Sequence, residues 1–367
     1  MPRDSHSITR FSKDLSHDQI VHLLNTDDND AIEALFAKAY QVKVEQVGTQ
    51  VYFRGIVEFS NQCTKDCYYC GIRRSNRQVE RFTMDEDEII QAGIWAYEQQ
   101  YGSIVLQSGE RQDRTFIDLV GRILCTLKER SEGQLGITLS LGEQTEETYR
   151  RWFQAGAHRY LLRIETSNEQ LYRRLHPDDH DPYQRLKCLT SLRALGYQVG
   201  TGVMIGLPGQ RAEDLARDIA FFKKHDIDMI GMGPYVVHAQ TPIAATVTEY
   251  DPARQLELGL RMIALTRIAL QDVNIAATTA LQALDPQGRE KGLQAGANII
   301  MPNITDTKYR GSYQLYDGKP CLDENASLCQ GCLDRRITGI GETVGLGKWG
   351  DSPHFEKRRA EDADECN

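Results

Sequence analysis

Hydrophobic and polar positions follow two different periods along most of this chain. Between residues 51 and 302, short apolar and β-branched segments alternate with longer segments in which apolar residues recur every three or four positions. The first pattern is typical of strands and the second of amphipathic helices. The predicted strands cover residues 51–59, 103–107, 136–142, 159–165, 198–206, 228–235, 274–279 and 297–302.

Strands that alternate with helices in this way indicate an α/β fold. Eight such units predict a parallel (β/α)8 barrel of the TIM type, and a doubly wound open sheet is the alternative. Before the barrel, residues 16–40 have helical spacing and predict an N-terminal helical extension. After about residue 309 the pattern is irregular. We therefore divide the chain into an N-terminal helical cap (1–50), the barrel (51–308) and a C-terminal segment (309–367) that ends in a charged tail.

Composition and charge remove several classes of function. The 367 residues include 43 Lys and Arg against 52 Asp and Glu, a net charge of −9 without a basic block, which argues against a nucleic-acid-binding surface. No apolar run reaches the ~20 residues that a membrane helix needs, and no signal peptide is apparent at the N-terminus. We expect a cytoplasmic protein that binds neither nucleic acid nor membranes. In such a compartment the nine cysteines are thiols or metal ligands rather than disulfides.

Three of these cysteines lie close together directly after the first predicted strand. Cys63, Cys67 and Cys70 occur in the run Cys-Thr-Lys-Asp-Cys-Tyr-Tyr-Cys. Thiolates select iron–sulfur clusters or zinc, and a closed zinc site would need a fourth ligand, which this region lacks. Three ligands on a four-iron cluster leave one iron open to a small molecule. The triplet therefore indicates a catalytic cluster.

The fourth predicted strand has an unusual polar face. Side chains alternate across a strand, so Arg159, Arg163 and Glu165 share the face that points into the barrel. Burying charges costs several kcal/mol per ion unless they are paired or solvated. We interpret this face as the wall of a polar ligand cavity, with a self-compensating Arg–Glu pair as the alternative. Thr138 and Ser140 on the third strand agree with a cavity.

Further polar and sulfur-containing residues fall where barrel strands end. Active sites of such barrels lie at the C-terminal ends of the strands, and the cysteine triplet is at the same end. The other candidates at this end are Gln107, Ser108, Gly109, Glu110, Glu165, Thr278, Thr279 and Met301.

These residues together resemble a known family. The triplet, with Tyr69 before its last cysteine, is similar to that of the radical S-adenosylmethionine (SAM) superfamily. Within it, residues 50–335 resemble the HydE-type maturases of iron–iron hydrogenases. The runs that carry the resemblance are EFSNQCTKDCYYCGIRR, LQSGE, TLSLGE, RYLLRIET, GVMIGLPGQ, GMGPY, ATTA and NIIMPN.

The resemblance implies a cofactor and a reaction. Cys63, Cys67 and Cys70 would bind a 4Fe–4S cluster whose free iron chelates the amino and carboxylate groups of SAM. An electron from the reduced cluster would break the S–C5′ bond, which leaves methionine and a 5′-deoxyadenosyl radical. The implied partners are an electron donor and the companion hydrogenase maturases.

The resemblance also implies the residues around SAM. Ser108-Gly109-Glu110 stands where the superfamily has Gly-Gly-Glu and would hold the SAM amino group. Tyr69 would contact adenine, and Met204 and Leu207 would line the adenine side, with Met204 in place of an isoleucine that many relatives carry. The complete set of implied SAM contacts is Tyr69, Gln107, Ser108, Gly109, Glu110, Ser140, Arg163, Glu165, Arg185, Met204 and Leu207.

A second set of positions corresponds to the substrate cavity of that family. The implied substrate is a cysteine-ligated iron carbonyl–cyanide species on the way to the diiron subsite of the hydrogenase H-cluster. Two alternatives stay open: an enzyme similar to biotin synthase or methylornithine synthase that acts on a small amino acid, and a non-catalytic iron–sulfur scaffold. The implied substrate residues are Thr138, Arg159, Met229, Thr278, Thr279, Met301, Tyr313 and Tyr316.

A second cysteine triplet, Cys321, Cys329 and Cys332, lies in the C-terminal segment. Its spacing resembles an auxiliary iron–sulfur site that varies within the family, and zinc is the alternative. The candidates for a fourth ligand are Asp323, His354 and Cys366.

Overall fold

A computed structural model describes residues 14–323 and 326–365, with the backbone alone for 327–329 and 365. The strands are β1 (Gln50–Ser60), β2 (Ser103–Ser108), β3 (Gly136–Ser140), β4 (Arg159–Leu161), β5 (Gln198–Thr201), β6 (Met204–Ile205), β7 (Met229–Ile230), β8 (Gly233–Pro234), β9 (Asn274–Ile275), β10 (Ile299–Ile300) and β11 (Thr343–Val344). The helices are α1 (His17–Asn25), α2 (Asn29–Gln46), α3 (Glu86–Glu98), α4 (Arg114–Arg130), α5 (Glu146–Gln154), α6 (Glu169–Leu175), α7 (Pro182–Ala194), α8 (Ala212–Lys224), α9 (Pro252–Leu270), α10 (Thr279–Leu284), α11 (Gly288–Gln294), α12 (Thr307–Arg310), α13 (Ala326–Gly339) and α14 (Pro353–Glu365). No helix of the described residues is long and apolar enough to cross a membrane.

Eight parallel strands form a closed ring. Their order is β10-β1-β2-β3-β4-β5-β7-β9. A parallel bridge between Ala276, directly after β9, and Ile299 in β10 joins the two ends of this order. The ring confirms the predicted barrel and excludes the open sheet.

The predicted fifth and sixth strands are each interrupted. The first part of each, β5 and β7, belongs to the ring, whereas the second parts, β6 and β8, pair with each other. The interruption coincides with a close approach of two backbones. A Cβ added to Gly202 would lie 2.0 Å from the carbonyl oxygen of Gly231, so this crossing requires glycine.

The N-terminal extension is helical, as its spacing predicts, and consists of the two helices α1 and α2. The two helices are separate because α2 has its own N-cap. The carboxylate of Asp28 accepts a hydrogen bond from Asp30 N at 3.0 Å and caps α2. Helix α1 packs on α8 and α9, and α2 packs on α9, on the outside of the barrel. The buried Lys43 connects them to the C-terminal part through an ion pair with Glu342 at 2.5 Å. The domain boundaries at residues 50 and 308 stay a prediction.

The C-terminal segment crosses the N-terminal opening of the barrel. The carbonyl oxygen of Gly350 accepts hydrogen bonds from Arg54 Nη2 at 3.1 Å and Asn274 Nδ2 at 2.9 Å, which come from two different strands. Asp351 Oδ1 accepts one from Gln198 Nε2, on a third strand, at 3.0 Å. Residues 349–352 therefore form the floor of the barrel.

Helix α14 is attached beside this floor by a histidine between two carboxylates. His354 Nε2 lies 2.6 Å from Asp226 Oδ1, and His354 Nδ1 lies 3.1 Å from Asp272 Oδ1. These hydrogen bonds, with Asp226 as the larger influence, raise the pKa of His354 from 6.5 to about 9. Both ring nitrogens are thus occupied, which removes His354 from the candidate metal ligands.

The raised pKa predicts how stability depends on pH. Protonated His354 stabilises the folded chain in full below pH 6.5, and this contribution disappears as the pH rises through about 9. Between pH 6 and 10 we expect the Tm of the wild type to fall by about 2 °C more than that of His354→Gln. Calorimetry across this range checks it, with the exposed His17→Gln as the control. Parallel pH profiles of wild type and His354→Gln would contradict the prediction.

Candidate active site

The first cysteine triplet lies on an irregular loop between β1 and α3. Three neighbouring segments hold this loop through its backbone. Thr64 N donates to Glu110 O at 2.9 Å, Tyr68 N to Leu175 O at 2.8 Å, and Gly71 N to Leu315 O at 3.0 Å. The loop is therefore fixed on several sides at the rim where the strands end.

The three thiols on this loop are free and close enough to influence one another. Burial raises the pKa of Cys63 and Cys70, and raises that of Cys67 to about 12; neighbouring cysteines add to the shift of the latter two. Three adjacent thiolates therefore need a bound cation to balance their charge. In the described part of the chain, no three His, Cys, Asp or Glu side chains surround a point suited to one metal ion. The triplet fits the separate irons of a cluster better than a single zinc.

The turn after β2 packs directly against the cysteine loop. A Cβ added to Gly109 would lie 2.3 Å from Gln62 O and 2.8 Å from Cys63 Cβ, so only glycine permits this approach. The backbone N–H of Glu110 donates to Cys63 Sγ at 3.3 Å, which stabilises negative charge on the sulfur. The predicted motif 108–110 and the triplet thus form one structure.

Lys65 and Arg185 balance two carboxylates beside this turn. Lys65 Nζ lies 3.4 Å from Glu110 Oε1 and 3.0 Å from Glu143 Oε2. Arg185 Nε lies 2.9 Å from Glu143 Oε1. Burial raises the pKa of Glu110, whereas Arg185 and Lys65 outweigh the effect of burial on Glu143 and lower its pKa.

Sequence reasoning missed Lys65 and Glu143 as site residues. Glu143 follows β3 at the active rim, so the rule that found Glu110 after β2 applies to it as well. Lys65 lies between Cys63 and Cys67 but is part of no recognisable pattern, and its partners Glu110 and Glu143 are distant in sequence.

Glu165 is held in a strained conformation at the same rim. Its φ of 63° is in the left-handed region, which non-glycine residues rarely adopt. Its N–H donates to Gly202 O at 3.1 Å, and its carbonyl accepts from Met204 N at 3.0 Å. Its Oε2 lies 3.0 Å from Arg163 Nη2, so the alternative of an Arg–Glu pair describes this contact. Arg163 remains one third exposed, so the pair faces an open rim.

The residues that the resemblance assigns to adenine form one apolar group. Tyr69, Met204 and Leu207 belong to a cluster with Leu171, Leu175, Tyr235 and Ile243. The hydroxyl of Tyr69 lies 3.3 Å from His176 Nε2. Ser140 and Gln107 are register partners on β3 and β2, beside the turn 108–110.

The assigned substrate residues occupy two regions. Thr138, Met229 and Met301 line one cavity of about 30 Å³ inside the barrel, together with Arg54 and Asn274. Arg159 is fully buried beneath that cavity and does not line it.

The other assigned residues lie outside the lining of this cavity. Thr278 has a buried hydroxyl for which the described residues offer no partner, and Thr279 Oγ1 accepts from Arg289 Nη2 at 3.3 Å. Tyr313 is buried, and its hydroxyl accepts from Gln107 Nε2 at 3.3 Å. Burial raises the pKa of Tyr316.

The second cysteine group is only partly described. Cys321 and Cys332 are half-buried and form no disulfide, and Gln282 Nε2 lies 3.9 Å from Cys321 Sγ. The side chain of Cys329 and all of Cys366 lie outside the described residues. An auxiliary metal site here stays a prediction.

Comparison with known proteins agrees with this geometry. Residues 57–222 match the model of the radical SAM superfamily. The chain is 42% identical, over 92% of its length and 94% of the other protein, to the FeFe hydrogenase maturase subunit HydE of Thermotoga maritima. Two solved structures share the fold at 21% identity. Methylornithine synthase (PylB) superposes with a TM-score of 0.77 over 93% of this chain and 96% of its own. The FeFe-hydrogenase maturase HydG of Carboxydothermus hydrogenoformans gives 0.76 over 90% and 76%.

The family uses a 4Fe–4S cluster and SAM. The residues described above fit both groups. Three thiols lie close together, and the turn of Gly109 and Glu110, which carries a carboxylate, packs directly against their loop. The chain therefore is a radical SAM enzyme and belongs, within that superfamily, to the family of the Thermotoga maritima maturase HydE.

Proposed function

We propose that this enzyme cleaves SAM reductively and acts on a cysteine-ligated iron carbonyl–cyanide precursor in assembly of the diiron subsite of FeFe hydrogenase. One observation carries the proposal. The loop of Cys63, Cys67 and Cys70 packs on the turn of Gly109 and Glu110, at the rim that also holds Glu165. The similarity to HydE over nearly the whole chain supports the substrate class.

Different residues of the rim bind the cluster and SAM. When bound, a 4Fe–4S cluster supplies the electron that splits the S–C5′ bond of SAM. Cys63, Cys67 and Cys70 would hold this cluster through their three thiolates. Glu110 accepts hydrogen bonds from the ammonium group of SAM, and Glu165 accepts them from the ribose hydroxyls.

The remaining groups orient the two ends of the SAM molecule. Tyr69, Met204 and Leu207 supply the apolar surface for adenine. Arg185 keeps Glu143 ionised and also donates to Arg163 O at 2.9 Å, which fixes the backbone before Glu165. Below SAM, the cavity beside Thr138, Met229 and Met301 receives part of the substrate.

Three partners follow from this proposal. An electron donor reduces the cluster, a companion maturase delivers the precursor, and a further maturase receives the product, all in the cytoplasm. Cys321, Cys329 and Cys332 bind an auxiliary cluster that the reaction does not require.

Loss of one cluster ligand tests the SAM chemistry. In anaerobically reconstituted, reduced protein, Cys67→Ala should reduce formation of 5′-deoxyadenosine to background, because the cluster loses one of its three protein ligands. Cys125→Ala, at an exposed thiol on α4, should leave it unchanged. Chromatography of the products and iron analysis measure both effects. Cleavage that survives in Cys67→Ala would refute the assignment of the triplet.

Hydrogenase maturation tests the substrate. A maturation mixture that lacks its HydE component should regain hydrogen production when this protein is added, and Cys67→Ala should not restore it. Hydrogen evolution by the matured hydrogenase is the readout. SAM cleavage without maturation would favour an enzyme that acts on a small amino acid.

Lys65 provides a test of the SAM ammonium site. Its Nζ lies 3.4 Å from Glu110 Oε1, so Lys65 competes with the ammonium group of SAM for the same carboxylate. We expect Lys65→Met to bind SAM about three- to tenfold more tightly, as loss of a competing ion pair of about 1 kcal/mol allows. Titration of the reconstituted protein with SAM measures this.

The matched control is Lys308→Met, which removes a surface ion pair with Glu88. Its affinity for SAM should equal that of the wild type. Weaker binding by Lys65→Met alone would mean that Lys65 attracts the carboxylate of SAM instead.

A further inference from the structure

Two buried guanidinium groups lie at the floor of the barrel. Arg54 is 5% exposed and Arg159 is fully buried. Burial and then the positive charge of Arg159 lower the pKa of Arg54, and burial lowers the pKa of Arg159 to about 10. Among the described residues, Asp351 is the acidic side chain that counteracts both. Asp351 comes from the C-terminal segment, about 190 residues after Arg159 in the chain.

Asp351 and its neighbour hold Arg159 in one orientation. Arg159 Nη1 donates to Asp351 Oδ1 at 2.9 Å and to Trp349 O at 2.9 Å. Gln198 Nε2 donates to the same carboxylate oxygen at 3.0 Å. His158 Nε2 lies 3.3 Å from it, and burial together with Arg159 lowers the pKa of His158 to about 3, so that ring is neutral at pH 7. The negative charge of Asp351 is therefore directed at Arg159.

The orientation of Arg159 determines that of a hydroxyl above it. Arg159 Nε donates to Thr138 Oγ1 at 3.1 Å. A guanidinium group can only donate, so Thr138 must accept, and its own hydroxyl hydrogen points away from Arg159. No described residue accepts a hydrogen bond from Thr138 Oγ1. Thr138 lines the cavity of about 30 Å³, so this hydrogen is available there.

We propose that Asp351 is a positioning residue of the active site, which holds Arg159 and thereby makes Thr138 a hydrogen-bond donor to the substrate. The C-terminal segment thus contributes to the polarity of the cavity. The inference rests on the proposed function in one respect, that the substrate reaches this cavity. The substrate group that Thr138 recognises is an acceptor, such as a carboxylate oxygen.

A double-mutant cycle on the reconstituted full-length protein tests this. The probe is a thiazolidine carboxylate, and calorimetry measures its binding while product analysis measures SAM cleavage with and without it. Asp351→Asn and Thr138→Val should each weaken binding of the probe about tenfold. Because both changes remove the same hydrogen bond, the double variant should bind about as weakly as Thr138→Val alone.

Two further variants separate positioning from structural damage. Thr138→Ser keeps the hydroxyl and should restore binding. Asp272→Asn alters a contact of α14 that does not face the cavity and should bind the probe as the wild type does. In Asp272→Asn, SAM cleavage without the probe should also stay at the wild-type rate.

The results that would overturn the inference differ from those that would overturn the proposed function. Unchanged binding in Asp351→Asn, or additive losses in the double variant, would refute the positioning role. If Asp351→Asn fails to fold, Thr138→Val and Thr138→Ser still decide whether the hydroxyl donates. Wild type that binds the probe through Thr138 but does not cleave SAM would refute only the proposed function.

Discussion

The closed ring of hydrogen-bonded parallel strands is the constraint on which the rest of this structure depends. Because all eight strands run in one direction, the segments that follow them meet at one rim. Cys63–Cys70 follow β1, Gly109 and Glu110 follow β2, Glu143 follows β3, and Glu165 lies beyond β4. Residues from distant parts of the chain thus meet at one site because the strands that precede them are neighbours in the ring.

Charge inside the ring imposes the second constraint. At the rim, Lys65 and Arg185 compensate Glu110 and Glu143. At the floor, Asp351 compensates the buried guanidinium of Arg159. In both places the cation and the anion come from different segments of the chain. These ion pairs therefore also hold the loop of Cys63–Cys70 and the C-terminal segment in place. An apolar substitution of one partner would leave the other buried and unpaired.

Local pattern was enough to predict the barrel, because strand and helix periods depend on neighbouring residues. It also placed the cysteine triplet and the turn of Gly109 at the same rim. It did not reveal Lys65 between Glu110 and Glu143, or Asp351 beneath Arg159, because such contacts join residues far apart in sequence. The polar face of the fourth strand predicted that Arg159 lines a cavity. Arg159 instead lies under the cavity, paired with Asp351, and the local sequence pattern around Arg159 gives no sign of this partner.

The floor of the barrel is made from residues 349–352, which follow all eight strands of the ring along the chain. During synthesis on a ribosome, the strands emerge long before residues 349–352 do. Until then the ring would contain two guanidinium groups without their carboxylate, and Gly350 O would not yet bridge Arg54 and Asn274. Completion of the active cavity is thereby coupled to synthesis of residues 349–352, so a chain released before them would have an open and uncompensated barrel.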